Sequence, residues 1–278
     1  QVSDSITALI RLVDLQIVDT DIGIADVILD LNALVQLERL VLISRQMNRL
    51  PYIDACTSLV TVVLDSRDTQ VLDTLEDVDW STLYRLQYLS VHGSIGGTVP
   101  GWIADLKDLR SLSLDHNELT GTVPQYLFSG ELPLLQHVNL AHNALVGTLT
   151  VQELYIDSLD LSHNNLHGTV SNIEARSLVL SHNLFTSIHD VYIEEVLDIS
   201  HNNIIGQLDH SYFYSPNSTT SELNIYGNDF GDITLPIDAD TGMQFIYSKS
   251  QTVIVVGSGW QLISSDQVQD RAVYKKLY

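Results

Sequence analysis

Five histidines recur in one sequence slot, as Leu114-Asp-His116-Asn, Leu140-Ala-His142-Asn, Leu161-Ser-His163-Asn, Leu180-Ser-His182-Asn and Ile199-Ser-His201-Asn. With Asp115, Asp160, Asp198 and several serines close by, these are the residue types of a zinc site or of Ser-His-Asp acyl transfer. Zinc needs ligands that converge on one point. One slot repeated in successive copies instead predicts a ladder of parallel rings, about 4.8 Å apart if each copy supplies a strand. Acyl transfer needs a concave site with oxyanion donors and excluded water, whereas regular repetition lays these groups on an open sheet. No catalytic residue, metal ligand or cofactor is therefore assigned, and the chain reads as non-enzymatic. The ladder reads as an exposed structural feature whose one chemical consequence is repulsion between protonated rings. Gly93-Ser-Ile-Gly-Gly97 belongs to a repeat turn and Gly257-Ser-Gly259 to the terminal segment, so neither is a phosphate loop.

The element behind the slot is the unit L-x-x-L-x-L-x-x-N-x-L-x-G, complete in Leu109 to Gly121 and nearly so in Leu135 to Gly147. A unit of this length cannot bury its apolar side alone, so stacked neighbours must complete the core. The pattern is the leucine-rich repeat signature, and the tail Gly121-Thr-Val-Pro124, echoed by Gly97-Thr-Val-Pro100 and Gly147-Thr-Leu149, resembles the plant-type subclass. Asn117, Asn143, Asn164, Asn183, Asn202 and Asn228 mark the register, with Thr20, Arg45, Arg67 and Ser94 in the same slot of weaker copies. About ten coils then cover residues 12–233, between an N-terminal edge at 1–11 and a C-terminal capping segment at 234–278. The resemblance implies an α/β repeat solenoid, with a parallel sheet on one face. The other face is expected to carry mostly irregular arms with short helical turns, in a form flatter than a horseshoe.

Residue types within the unit have separate reasons. Alternating leucines drive one strand face inward and leave the residues between them outside. The recurring Asn can donate and accept, so it can pair backbone groups of its own and adjacent coils. Thr20, Arg45 and Arg67 cannot do this in full, so the first coils should be less regular. Gly121, Gly147, Gly168 and Gly206 follow at a fixed offset, where a tight bend opposes a Cβ. Coils of 19 to 21 residues leave too little chain for a helix on the back, while the longer arm from Gly121 to Gln136 has room for a short turn over Pro124 to Phe128.

Composition narrows the partners. Formal net charge is −22, from 35 acids against 13 bases, which excludes nucleic acid and anionic membrane as natural partners. Cys56 is the only cysteine, so the intrachain disulfides that cap secreted members of the subclass are absent, and its apolar surroundings predict a buried thiol. No segment is apolar enough to span a bilayer, and Val253-Ile-Val-Val256 reads as a strand. Asn217-Ser-Thr219 is a glycosylation sequon. A chain that starts at Gln1 looks processed or trimmed. With the resemblance, these features predict a secreted or cell-surface protein.

The register places the candidate binding residues on the outward sheet face. They are Arg39, Thr61, Asp65, Tyr88 and His92 toward the N-terminus, then Asp115, His137, Asn139, Asp160, Asp198, Asn224 and Tyr226. Ala141, Ser162, Ser181 and Ser200 are expected outward as well. Two functions fit. One is recognition of a protein or glycan across this face, implied by the resemblance. The alternative is a structural subunit that associates with copies of itself through the solenoid ends, where Ile6, Leu9 and Ile10 leave an apolar edge.

Overall fold

The computed structural model describes residues 6–18, 29–44, 47, 49–66, 74–151, 154–209 and 222–234, and beyond them the strands 244–247, 253–254, 260–264 and 272–276. Thr20, Arg45, Arg67 and Asn217 lie outside the described residues. The chain divides into two compact units at Leu145/Val146.

The first unit carries one short strand per coil: β1 (Asp14–Val18), β2 (Arg39–Ile43), β3 (Thr61–Asp65), β4 (Tyr88–His92), β5 (Ser111–Ser113) and β6 (His137–Asn139). Each pairs in parallel with the next, in chain order. The inward residues Leu40, Leu42, Val62, Leu64, Leu89, Val91, Leu112, Leu114, Val138 and Leu140 are fully buried. At roughly 2 kcal/mol per buried aliphatic side chain, this repeated pair is the main force that stacks the coils. The arms hold the short 3-10 turns Gly101–Asp105 and Gln125–Leu127, each following a proline whose fixed φ suits a turn entry.

The second unit differs on its back. Its strands are β7 (Val146–Thr148), β8 (Leu154–Asp160), β9 (Asn165–Val179), β10 (Leu184–Asp198), β11 (Ile205–Asp209), β12 (Glu222–Asn224), β13 (Asp229–Thr234), β14 (Gln244–Tyr247), β15 (Val253–Ile254), β16 (Trp260–Ser264) and β17 (Ala272–Lys276). β8, β9, β10, β12 and β14 are parallel neighbours, and β17 then pairs antiparallel with both β14 and β16. β9 and β10 are each 15 residues long and run through the arm as well as the sheet. A short coil has no chain for a helix, and the extended arm buries Val170, Ile173 and Ala175 in register with Ile188, Val191 and Ile193. The arms of these coils are therefore strands, a form that excluding a helix does not by itself specify.

The asparagines close the ladder as their chemistry requires. Asn117 Oδ1 accepts from the Ile95 N–H at 3.1 Å, while its Nδ2 donates to Val91 O at 2.7 Å and Leu114 O at 2.9 Å. Asn183 and Asn202 repeat this one coil apart, accepting from Leu166 and Phe185 and donating to Leu161 and Leu180 of the coil before. Gly121, Gly147, Gly168 and Gly206 all have positive φ. Cys56 is fully buried, its Sγ 3.1 Å from Leu31 O, and burial pushes its thiol up to about 11.

Candidate recognition surface

In the first unit, Arg39, Thr61, Tyr88, Ser111 and His137 stand in one register row, one per strand. All point outward because their neighbours in each strand are the buried leucines and valines. Tyr88 is 46% exposed and has a large face free for contact. Arg39 reaches Asp14 one coil upstream at 3.4 Å, with both side chains about half exposed, so solvent weakens the pair.

Asp65 and His92 form a second row, in register with each other. His92 Nε2 is 3.0 Å from Asp115 Oδ1 and 3.4 Å from the hydroxyls of Ser90 and Ser113. Ser113 also donates to Asp115, and His116 Nδ1 lies 2.9 Å from the second carboxylate oxygen. A carboxylate only accepts, so the imidazole nitrogens that face it carry protons. The bond to Asp115 raises the His92 pKa above its ordinary value, against burial that lowers it. Burial opposes the Asp115 charge, but the bonds from His92, Ser113 and His116 outweigh it and hold the carboxyl well below the usual range.

The other polar candidates are tied to their own turns. Asn139, Asp160, Asp198 and Asn224 each accept from the backbone N–H two residues on, at 3.0, 2.9, 2.9 and 3.3 Å. These are Asx turns that lead the chain off the strand, and each uses a side-chain oxygen that the sequence alone left available for ligand. Asp198 is further engaged by Asn224 Nδ2 at 3.1 Å. Tyr226 is half-buried, and its ring meets His201 edge-on at 4.9 Å between centroids. Ala141, Ser162, Ser181 and Ser200, expected outward, are buried. They sit where the strand already turns, so two-residue alternation stops one position before them.

The histidine slot has a backbone cause. His116, His142, His163, His182 and His201 have φ of 55, 54, 53, 55 and 53°, the left-handed region in which His is enriched over most side chains. Their rings stack with centroids 4.2 Å apart for His116–His142, His163–His182 and His182–His201. Among the described residues no group of three or more His, Cys, Asp or Glu could hold a metal ion.

Sequence reasoning passed over a cleft of about 550 Å³ on the arm side of the second unit, bounded by Tyr155, Asn172, Glu174, Asp190 and Tyr192 over Leu154 and Ile173. Aligning the repeats through their arms would have set Tyr155, Glu174 and Tyr192 in one column.

A model of the leucine-rich repeat family matches residues 108–129. Receptor-like protein 7 of Arabidopsis thaliana is 33% identical over 135 residues, 44% of this chain and 14% of that protein. The chain spans less than a fifth of the length of the curated relatives it matches. Among solved structures, a plant ice-binding protein superimposes with a TM-score of 0.57 at 20% identity, covering 87% of this chain and 74% of that one. The plant peptide hormone receptor RGFR1, in complex with RGF2, gives 0.57 at 17% identity over 91% of this chain and 48% of the receptor.

Proposed function

We propose, from the premise that the chain is a leucine-rich repeat solenoid with plant-type repeats, that it is a non-catalytic extracellular recognition module for a protein or peptide ligand. One observation carries this reading. The row Arg39, Thr61, Tyr88, Ser111 and His137 offers one outward side chain per strand, and a positive charge, a hydroxyl, an aromatic ring and an imidazole lie within a few strand spacings of one another. Such a line suits an extended polypeptide laid across the strands, and the RGFR1 neighbour, with the same fold, is a plant peptide hormone receptor. Asp65 with His92 and Asp115 form the polar rim of this row. Asn139, Asp160, Asp198 and Asn224 contribute shape more than free hydrogen-bonding capacity. A glycan across the same face is the competing ligand class.

Among the described residues no helix is long and apolar enough to cross a membrane. Panning a displayed peptide library on the protein tests the reading, with Tyr88→Ala and Arg39→Ala in the counter-screen. Binders that ignore both substitutions would sink it, and enrichment on a glycan array alone would move the ligand class.

A specific observation keeps self-association as a second reading. Leu9 and Ile10 are 52% and 59% exposed, and Val13, just before β1, and Val18, its last residue, are exposed too. Light scattering over a concentration series, on the native chain and on Leu9→Lys with Ile10→Lys, decides it. Concentration-dependent assembly that the substitutions abolish supports association through this edge, and assembly that persists unchanged rules the edge out.

A further inference from the structure

We propose that the cleft on the arm side of the second unit is a second binding site, one that takes an arginine side chain of a basic peptide segment. It is independent of the sheet face discussed above.

Tyr155 on β8, Glu174 on β9 and Tyr192 on β10 are register partners across three adjacent parallel strands. The two tyrosines therefore stand about 10 Å apart with the carboxylate between them. Ile173 and Ala175 point inward and are buried, so Glu174 points outward with the tyrosines. Tyr155 is 64% exposed and Tyr192 42%, so both rings are accessible from solvent. Asn172 and Asp190 have left-handed backbones, φ 60 and 52°, at the same corner of consecutive coils. The chain turns there, and the turn raises the wall of the cleft over Leu154 and Ile173.

The chemistry of the lining selects the ligand. Among the described residues two carboxylates and two phenol rings line it and no basic residue does; Asp190 is engaged by His189 Nδ1 at 2.9 Å, which leaves Glu174 as the carboxylate between the rings. Arg176, two residues along β9, is drawn to Glu194 and Glu195 at 3.6 and 3.7 Å. A guanidinium is planar and always charged, so it can stack on a tyrosine face while it donates to a carboxylate in the same plane. An ammonium would satisfy the charge without stacking in that way, and a neutral sugar would use the rings without needing the charge. A volume near 550 Å³ accommodates one such side chain with the backbone that bears it. The formal charge of −22 adds long-range attraction for a basic segment.

Calorimetric titration of the whole chain with an acetylated, amidated peptide of alternating glycine and arginine tests the proposal. The same peptide with citrulline in place of arginine keeps the shape without the charge. The arginine peptide should bind, and the citrulline peptide should bind about tenfold more weakly or worse. Glu174→Gln should weaken the arginine peptide about tenfold, and Tyr155→Ala or Tyr192→Ala about threefold each. Tyr84→Ala, at an exposed tyrosine of the first unit, should leave binding unchanged. The altered positions are exposed, so melting temperatures should stay close to that of the parent and report intact folding. Equal binding by all variants would reduce the effect to general attraction by an acidic surface and overturn the site. Equal binding of the citrulline peptide would overturn the guanidinium assignment. Binding of cellohexaose that depends on Tyr155, without binding of the arginine peptide, would reassign the cleft to a saccharide.

Discussion

His92 and Asp115, on successive coils of the first unit, stand 3.0 Å apart with the carboxylate only slightly exposed. This pair couples two coils of the candidate face through a titratable bond, so its contribution depends on pH in a fixed direction. The folded His92 pKa is raised, so its share of stability is complete below the ordinary value of 6.5 and is lost as pH rises through the raised one. The folded Asp115 pKa is depressed, so its share is present above the ordinary value of 3.8 and is lost only as pH falls through the depressed one. The replacement Asp115→Asn should bring the His92 titration, followed by ring-proton NMR, down from its raised position. An unchanged midpoint would mean that Asp115 does not hold the imidazole.

Replacing one ladder asparagine should be expensive. Asn202→Ala takes the side-chain acceptor from the Phe185 N–H and one of the donors from the carbonyls of Leu180 and Ile199, which keep Asn183 and Asn228. One buried N–H left without its acceptor predicts a loss of about 2 kcal/mol in chemical denaturation. A loss under about 0.5 kcal/mol would show that the ladder is not what satisfies those groups.

Gly227 occupies the slot that histidine fills in the coil before it. Its φ is +73°, and an added Cβ would meet His201 Nδ1 at 2.9 Å and His201 Cα at 3.2 Å. Gly227→Ala should cost about 2 kcal/mol, from the left-handed backbone plus the displaced ring. Gly96, with open space around it, is the control, and its alanine variant should lie within about 0.5 kcal/mol of the parent. Equal melting temperatures for the two variants would contradict this account.

Cys56 should be chemically silent while the protein is folded. Burial and the nearby Asp30 and Asp54 push its thiol up to about 11, and no part of the residue is accessible. A chromogenic disulfide reagent in mildly alkaline buffer should therefore react only after denaturant is added. Rapid reaction of the native chain would show that this coil opens.

Much of the candidate site was legible before the structure, and the parts that were not share a cause. Two-residue alternation correctly turns Arg39, Thr61 and Tyr88 outward, because each lies within a strand between inward side chains. The same alternation fails at Ala141 and Ser162, two residues past the strand, where the backbone has already begun its turn. Local spacing also left Asn139, Asp160 and Asp198 looking free, although each is bound to an N–H two residues away.

The sequence by itself determined the repeat, its register, the inward leucines and the task of the asparagines. Those follow from residue type at fixed short spacing, which the backbone periodicities of strand and turn translate directly into position. Tertiary structure decided which outward groups meet across coils, as His92 meets Asp115, and which arms straighten into strands to set Tyr155, Glu174 and Tyr192 side by side. Such partners lie some twenty residues apart along arms of unequal length, so their distance is fixed only when buried side chains stack the coils.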